Sequence, residues 1–197
     1  MRRIIYVVAV AVAAIAFYSQ LRPRAQHQQL HSTVAGAEIG DHFAPSENVE
    51  RLDLEHIQQA QRTLDIAMFS FTDRYLAEAL VQLARRGVHV RVYRDRSQFE
   101  QELRNADHQH EHSITDLFHA QPNIQIRVKN SNEHNLMHLK AYLVDGRVLR
   151  DGSANWSPAG LKHQDNNAHF TSDAAQVHAF QQAFEEMWNR PSNHQVQ

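Results

Sequence analysis

The stretch from Thr63 to Tyr93 constrains the fold more than any other. Thr63 to Phe71 alternates, placing Leu64, Ile66 and Met68 on one face of a strand. Thr72-Asp73 follows as a helix N-cap, and Leu76, Leu80, Leu83 and Ala84 form an apolar stripe at helical spacing. Gly87 ends that helix, and Val88 to Tyr93 alternates again. A strand, a helix and a strand joined by short loops predict a parallel pair with a crossover helix. Parallel strands must be covered on both faces, so this unit commits the chain to an α/β architecture.

The remaining elements extend it. Glu47 to about Arg62 reads as a helix with Ser46 as its N-cap and Val49, Leu52, Ile57 and Ala60 near one side. Asp95 to Pro122 is polar and helical in parts. Ile124, Ile126 and Val128 mark a third strand, and His138 to Val144 a fourth. Asp145-Gly146 is a turn into a short partner strand, Arg147 to Arg150. Ser157-Pro158 opens a helix, and Asn167 to Thr171 is a last strand. Asp173 caps a C-terminal helix with Val177, Phe180, Phe184, Met187 and Trp188 on one face. The expected fold is α/β, a mixed β-sheet flanked by helices on both faces.

The N-terminus differs in kind. Met1-Arg2-Arg3 precedes an uncharged, apolar run from Ile4 to Tyr18. Such a run spans about 22 Å as a helix, against about 30 Å of hydrocarbon. Residues 1–18 are therefore expected to be a signal peptide, with Ala14-Ile15-Ala16 as a cleavage site, or a retained membrane anchor. Either reading implies export or membrane attachment. Residues 19–40 read as a linker, 41–191 as the domain, and 192–197 as a tail. Beyond residue 37 the chain has 16 Lys+Arg against 22 Asp+Glu, a net charge of −6, which excludes a strongly basic nucleic-acid binder. The chain has no cysteine, so disulfides, thiolate metal sites and cysteine nucleophiles are excluded.

Chemistry concentrates in His138-Leu139-Lys140-Ala141-Tyr142-Leu143-Val144-Asp145. On a strand His138 and Lys140 share a face, so a nucleophile or proton carrier stands beside a fixed cation. Asp145 has the opposite parity and sits in the turn, where it is expected to hold backbone groups. Gly152-Ser153-Ala154-Asn155-Trp156 follows, with small and amide residues suited to binding an anionic group. The chain has only 3 lysines, Lys129, Lys140 and Lys162. A chance His-x-Lys-x4-Asp match is expected about 0.01 times at this composition.

His138-x-Lys140-x4-Asp145 followed by Gly152-Ser153-x-Asn155 resembles the HKD motif of the phospholipase D superfamily. The likeness is greatest to its single-motif branch, the Nuc endonuclease and Zucchini-like phospholipase D-like proteins. It extends over roughly residues 40 to 190 and includes Phe43-Ala44-Pro45-Ser46, Met68-Phe69-Ser70-Phe71-Thr72, Arg86-Gly87-Val88-His89-Val90 and Met187-Trp188-Asn189. The resemblance implies a metal-independent phosphodiester hydrolase without a cofactor, in which two copies of the chain pair through the HKD face. One His138 would form a phosphohistidine, and the other would protonate the leaving oxygen and then activate water. Lys140 and Asn155 would bind the non-bridging oxygens, with Ser153 as a further donor and Asp145 in support. The family places an acidic residue near position 166 to orient the motif histidine. Here that position is Asn166, with Asp165 beside it. The motif is specific to the superfamily and poorly specific to substrate. Nucleic acid is expected first, as an endonuclease substrate. The alternative is a phospholipid headgroup bond, as in phosphatidylcholine or cardiolipin.

Trp156 is a candidate to stack on a base or a headgroup. Arg91, Arg94, Arg96, Arg147 and Arg150 are candidate phosphate contacts. His108, His110 and His112 alternate, and a non-enzymatic histidine-rich metal-binding module is the third reading; no metal is expected at the motif. His89 and His178 are expected to be structural.

Overall fold

The computed structural model describes residues 32–34, 37–109, 112–132 and 134–196. Nine strands form one mixed sheet in the order β1-β2-β8-β7-β6-β3-β4-β5-β9. They are β1 (Ser32–Val34), β2 (Ala37–Ala44), β3 (Thr63–Met68), β4 (His89–Asp95), β5 (Ile124–Lys129), β6 (Lys140–Val144), β7 (Val148–Gly152), β8 (Asn166–Thr171) and β9 (His194–Gln195). Strands β3, β4 and β5 are parallel, with Thr63 opposite His89 and Val90 opposite Ile124. The remaining pairs are antiparallel. The helices are α1 (Val49–Ile57), α2 (Arg74–Arg85), α3 (Arg96–Gln109), α4 (Ile114–Phe118), α5 (Pro158–Lys162) and α6 (Ala174–Trp188).

The period-two pattern sorts side chains between two apolar layers. Leu64, Ile66 and Met68 of β3 join Val90, Val92, Ile126, Tyr142 and Val144 under α1, α2 and α4. Ala67, Ala141, Leu143 and Leu149 face the other way, against Val177, Phe184, Met187 and Trp188 of α6. Each fully buried Leu, Ile or Phe contributes roughly 1.5–3 kcal/mol, so both layers are needed to hold the sheet.

The strand-helix-strand unit forms as its residues dictate. Asp73 caps α2 by accepting from the Leu76 N–H at 3.0 Å, and Gly87 takes φ +92° after the last turn. The α1 cap differs from expectation. Asn48, not Ser46, accepts from the Arg51 N–H at 3.0 Å, while the Ser46 hydroxyl donates to the Phe43 carbonyl at 2.7 Å. The Asn side chain sits one residue before the first helical turn, where its oxygen reaches the free N–H groups.

The sheet also starts earlier than the sequence suggested. The β1 strand and the first residues of β2 fall inside the stretch read as a linker, and β9 falls inside the tail. The β2 strand pairs with β8 from Gly40↔Phe170 to Ala44↔Asn166. Its polar composition hid it, because His42 is buried with its Nδ1 2.7 Å from Glu47 Oε2. Residues 1–18, with the expected cleavage site, lie outside the described residues. Among the described residues no helix is long and apolar enough to cross a membrane.

Candidate active site

The motif straddles the start of β6. Lys140 pairs with Met68, the last residue of β3, so it stands at the C-terminal edge of that strand. His138 precedes β6 and is exposed. Phe69 follows β3 and donates its N–H to the Leu139 carbonyl at 2.8 Å. Its half-buried ring is a shelf for both motif side chains. The His138 ring lies 4.5 Å from it, tilted 56°, and Lys140 Nζ lies 4.6 Å from its centroid. Alternation thus puts His138 and Lys140 on one side, as read from the sequence. Leu139 departs from it. Ala141 and Leu143 are buried in the opposite layer, but Leu139 is 42% exposed because the strand has not yet begun.

Lys140 is nearly buried and donates to the His138 carbonyl oxygen at 2.7 Å. Burial, with the nearby Arg150 guanidinium second, holds its pKa down at about 8. An ammonium has three N–H groups, so two more can be donated to an anionic group.

Asn155 enters from the loop after β7. Its Oδ1 accepts from the Ser70 N–H at 3.3 Å, which leaves the NH2 end to donate. Gly152 makes that loop feasible. Its φ is +137°, and a Cβ there would meet the Asn167 carbonyl oxygen at 2.4 Å. The close approach brings Ser153 onto β8. Ser153 N–H bonds Asn167 Oδ1 at 3.0 Å, and its hydroxyl donates to Asn166 Oδ1 at 2.9 Å. Both Ser153 donors are therefore engaged within the chain. Asn166 in turn donates to the Gly160 carbonyl at 3.1 Å. Asp165 is exposed on the wall of an open groove of about 710 Å³ that Ser153, Asn166 and Phe43 also line. Among the described residues neither Asp165 nor Asn166 hydrogen-bonds His138 within one chain.

Several sequence-based assignments are corrected. Trp156 is fully buried, with Nε1 donating to Asp53 Oδ2 at 2.9 Å, so it packs rather than stacking on a ligand. Arg150 is also fully buried, 3.3 Å from Asp53. Arg94 is buried against Glu102, and Arg91 pairs with Asp65 and Glu185, each at 2.6 Å. Arg150 and Arg94 are closed off from a phosphate, and Arg91, a quarter exposed, is engaged by two carboxylates. Arg96 pairs with Glu100 at 2.7 Å. Arg147 is exposed at the far end of β6 and β7. Asp145 is at that far end too, and its carboxylate accepts from the N–H groups of Gln61, Arg62 and Thr63 at 2.8–2.9 Å. His89 and His178 lie in β4 and α6, as expected, with their side chains exposed. Among the described residues the buried histidines are His42 and His56, both packed against Phe170. His108 and His112 are exposed, and His110 lies outside the described residues. Among the described residues no group of three metal-ligating side chains is assembled.

Sequence reasoning missed Asp53, Asp95 and Phe69. Asp53 had a signal: it lies four residues from both Val49 and Ile57, on the apolar side of α1. Asp95 ends β4, fully buried, and accepts from the Met137 N–H at 2.9 Å and the Ser131 hydroxyl at 2.8 Å. Burial pushes its carboxyl up, but these donors and Ser97 outweigh it and hold the group below its usual value. Lys129 donates to the Asn135 carbonyl and, at 3.2 Å, to that of Leu136. Together the two residues pin the loop that delivers His138.

Residues 54–188 match the family model described as cardiolipin synthase, PLD-like domain. A mitochondrial cardiolipin hydrolase of Chlamydomonas reinhardtii is 31% identical over 136 residues, covering 69% of this chain and 56% of that protein. The chain thus spans little more than half the length of that relative. NucT from Helicobacter pylori shares the fold, with a TM-score of 0.64 and 23% identity over 78% of this chain and 95% of its own. Nuc from Salmonella typhimurium, a phospholipase D family member, has a TM-score of 0.64 and 20% identity over 80% and 96%. The mixed sheet, the HKD spacing and these likenesses together establish that the chain belongs to the phospholipase D-like family.

Proposed function

We propose that the chain is a phosphodiester hydrolase and that His138, Lys140 and Asn155 form half of its active site. The observation that carries this reading is one exposed imidazole beside a nearly buried ammonium and an amide NH2, all at one strand end. A second copy supplies the second half. One His138 attacks phosphorus, making the P–N bond as the P–O ester bond breaks, and its partner's imidazolium protonates the leaving oxygen. Water, deprotonated by that same imidazole, then displaces the histidine. Lys140 and Asn155 hold the non-bridging oxygens, where charge persists through both steps. Asp145 supports the fold of the motif from a distance. The N-terminal segment attaches the chain to a membrane or directs its export.

A phospholipid is favoured as substrate over the nucleic acid that the sequence puts first. Leu136 and Leu139, 36% and 42% exposed, flank His138. The domain charge of −6 repels a polyanion, and the curated relative is named for cardiolipin. The likeness to Nuc supports the nucleic-acid reading through the fold alone. The test incubates the full chain in detergent, wild type and His138→Ala, with cardiolipin, phosphatidylcholine, single-stranded DNA and RNA, with and without EDTA. Headgroup release by the wild type that EDTA spares and His138→Ala abolishes is the expected result. Nucleic-acid cleavage that weakens steeply with salt, without lipid turnover, would reverse the substrate assignment. Activity retained in His138→Ala would overturn the mechanism.

A further inference from the structure

Arg150 is fully buried in β7 although it is charged. Its Nη1 donates to the Lys140 carbonyl at 2.7 Å, and its Nη2 to the Ala154 carbonyl at 3.0 Å. Its Nε stands 3.3 Å from Asp53 Oδ1. Asp53, fully buried too, takes the Tyr142 hydroxyl at 3.1 Å and the Trp156 Nε1–H at 2.9 Å. Burial lifts the Asp53 carboxyl above its usual value, and Arg150 with the two donors offsets only part of the rise. A buried ion pair is an inefficient way to hold a sheet together, because an apolar pair of similar volume does as well. The planar guanidinium does what an apolar side chain cannot: its fork binds two carbonyls in two different segments. One belongs to Lys140. The other lies between Ser153 and Asn155.

We propose that Arg150 is a positioning residue, which locks the His138–Lys140 segment to the Ser153–Asn155 segment while Asp53 fixes its orientation. This rests on the phosphodiesterase reading of the same site. Without the fork, Lys140 and Asn155 no longer present their donors at one phosphoryl group. The charge of Arg150 acts as well. The groups around Lys140 are Arg150 from β7, Asp53 behind it from α1, His138 in the lead-in to its own strand, and the uncharged Phe69 after β3. Arg150 adds to burial in lowering the proton affinity of Lys140.

The scarcity of lysine supplies the probe. Full-length protein in detergent, with lysine carrying ¹³C at Cε, gives three side-chain signals, and Lys140→Arg assigns one. Arg150→Gln removes the charge, while Arg150→Lys keeps the charge and loses the fork. In Arg150→Gln the Lys140 signal is expected to titrate about one pH unit higher. Turnover of bis(p-nitrophenyl) phosphate is expected to fall about 10- to 100-fold in kcat, with KM changed less than about threefold. Arg150→Lys should lose kcat similarly with the titration unmoved, and the Asn155 side-chain amide signal should shift. A lower melting temperature with unchanged kcat, Lys140 titration and Asn155 signal would make Arg150 merely structural and overturn the proposal. If Arg150→Gln does not fold, Asp53→Asn combined with Arg150→Gln removes both charges together and is judged by the same readouts. If the wild type cleaves no phosphodiester, the functional reading fails, whereas the two NMR signals still decide whether Arg150 couples the segments.

Discussion

The two ends of strand β6 carry the same motif and do opposite things. At its start, Lys140 is held nearly buried with its proton affinity reduced, and His138 stands exposed before it. At its far end, Asp145 accepts three backbone N–H groups and ties the β6–β7 turn to the entrance of β3. Burial raises the Asp145 carboxyl, but the N–H groups of Thr63, Gln61 and Arg62 outweigh it and keep the group below its usual range. One end holds a charge at a cost to stability, and the other gains stability from a charge. A short signature read as a single unit of chemistry thus divides into an end proposed for catalysis and an end that holds the fold, with Lys140 opening the strand and Asp145 in the turn after it.

Substitutions at the two ends can break this comparison. The largest effect belongs to His138→Ala, which should lower kcat by at least about 10³-fold. Its melting temperature should match the wild type, because the ring is exposed and rests on Phe69. A large loss of stability there would put folding at the active end. Lys140→Met should lower kcat about 100-fold and yet make the fold more stable near neutral pH, by on the order of 2 kcal/mol. The sign follows from proton binding. Lys140 titrates at about 8 when folded and near 10.4 when unfolded, so the unfolded chain holds more protons in between. Wild-type stability therefore rises with pH across that window, and Lys140→Met should remove the rise.

Asp145→Ala reverses the pattern. It should destabilise by about 2 kcal/mol, read from urea midpoints, with kcat per folded molecule within about twofold of wild type. Asp145 also has φ +51°, a conformation asparagine tolerates better than alanine, so Asp145→Asn should lose less. The Asp145 contribution is present above the unfolded carboxylate value near 3.9 and lost as pH falls through the lower folded one. Acid unfolding should accordingly flatten in Asp145→Asn. The smallest effect is at Phe69→Leu, which keeps an apolar shelf but removes the aromatic face. It should change kcat/KM by about threefold, the size of an exposed cation–π contact.

How much was legible differs between local and distant features. The strand-helix-strand unit, the Asp73, Ser157 and Asp173 caps and the two-residue spacing of His138 and Lys140 are written in neighbouring residues, and the structure places them as read. The β2 strand was missed because it is largely polar, lying next to the edge with β1 pairing only its residues 37–39, and because His42 is a buried histidine in a hydrophilic run. Ser153 looked like a free donor, but the atoms that occupy it come from residues 13 and 14 positions later.

The sequence by itself determined an α/β sheet through its periodicities and the family motif through short spacing, while the roles proposed for His138, Lys140 and Asn155 come from the family resemblance. Only the tertiary structure decided what Trp156 and Arg150 do. Their partner is Asp53, 103 residues before Trp156 in the chain. No local pattern couples residues so far apart. They meet because the apolar layers bring α1 over β6 and β7, where a carboxylate and a guanidinium withdrawn from water must find each other.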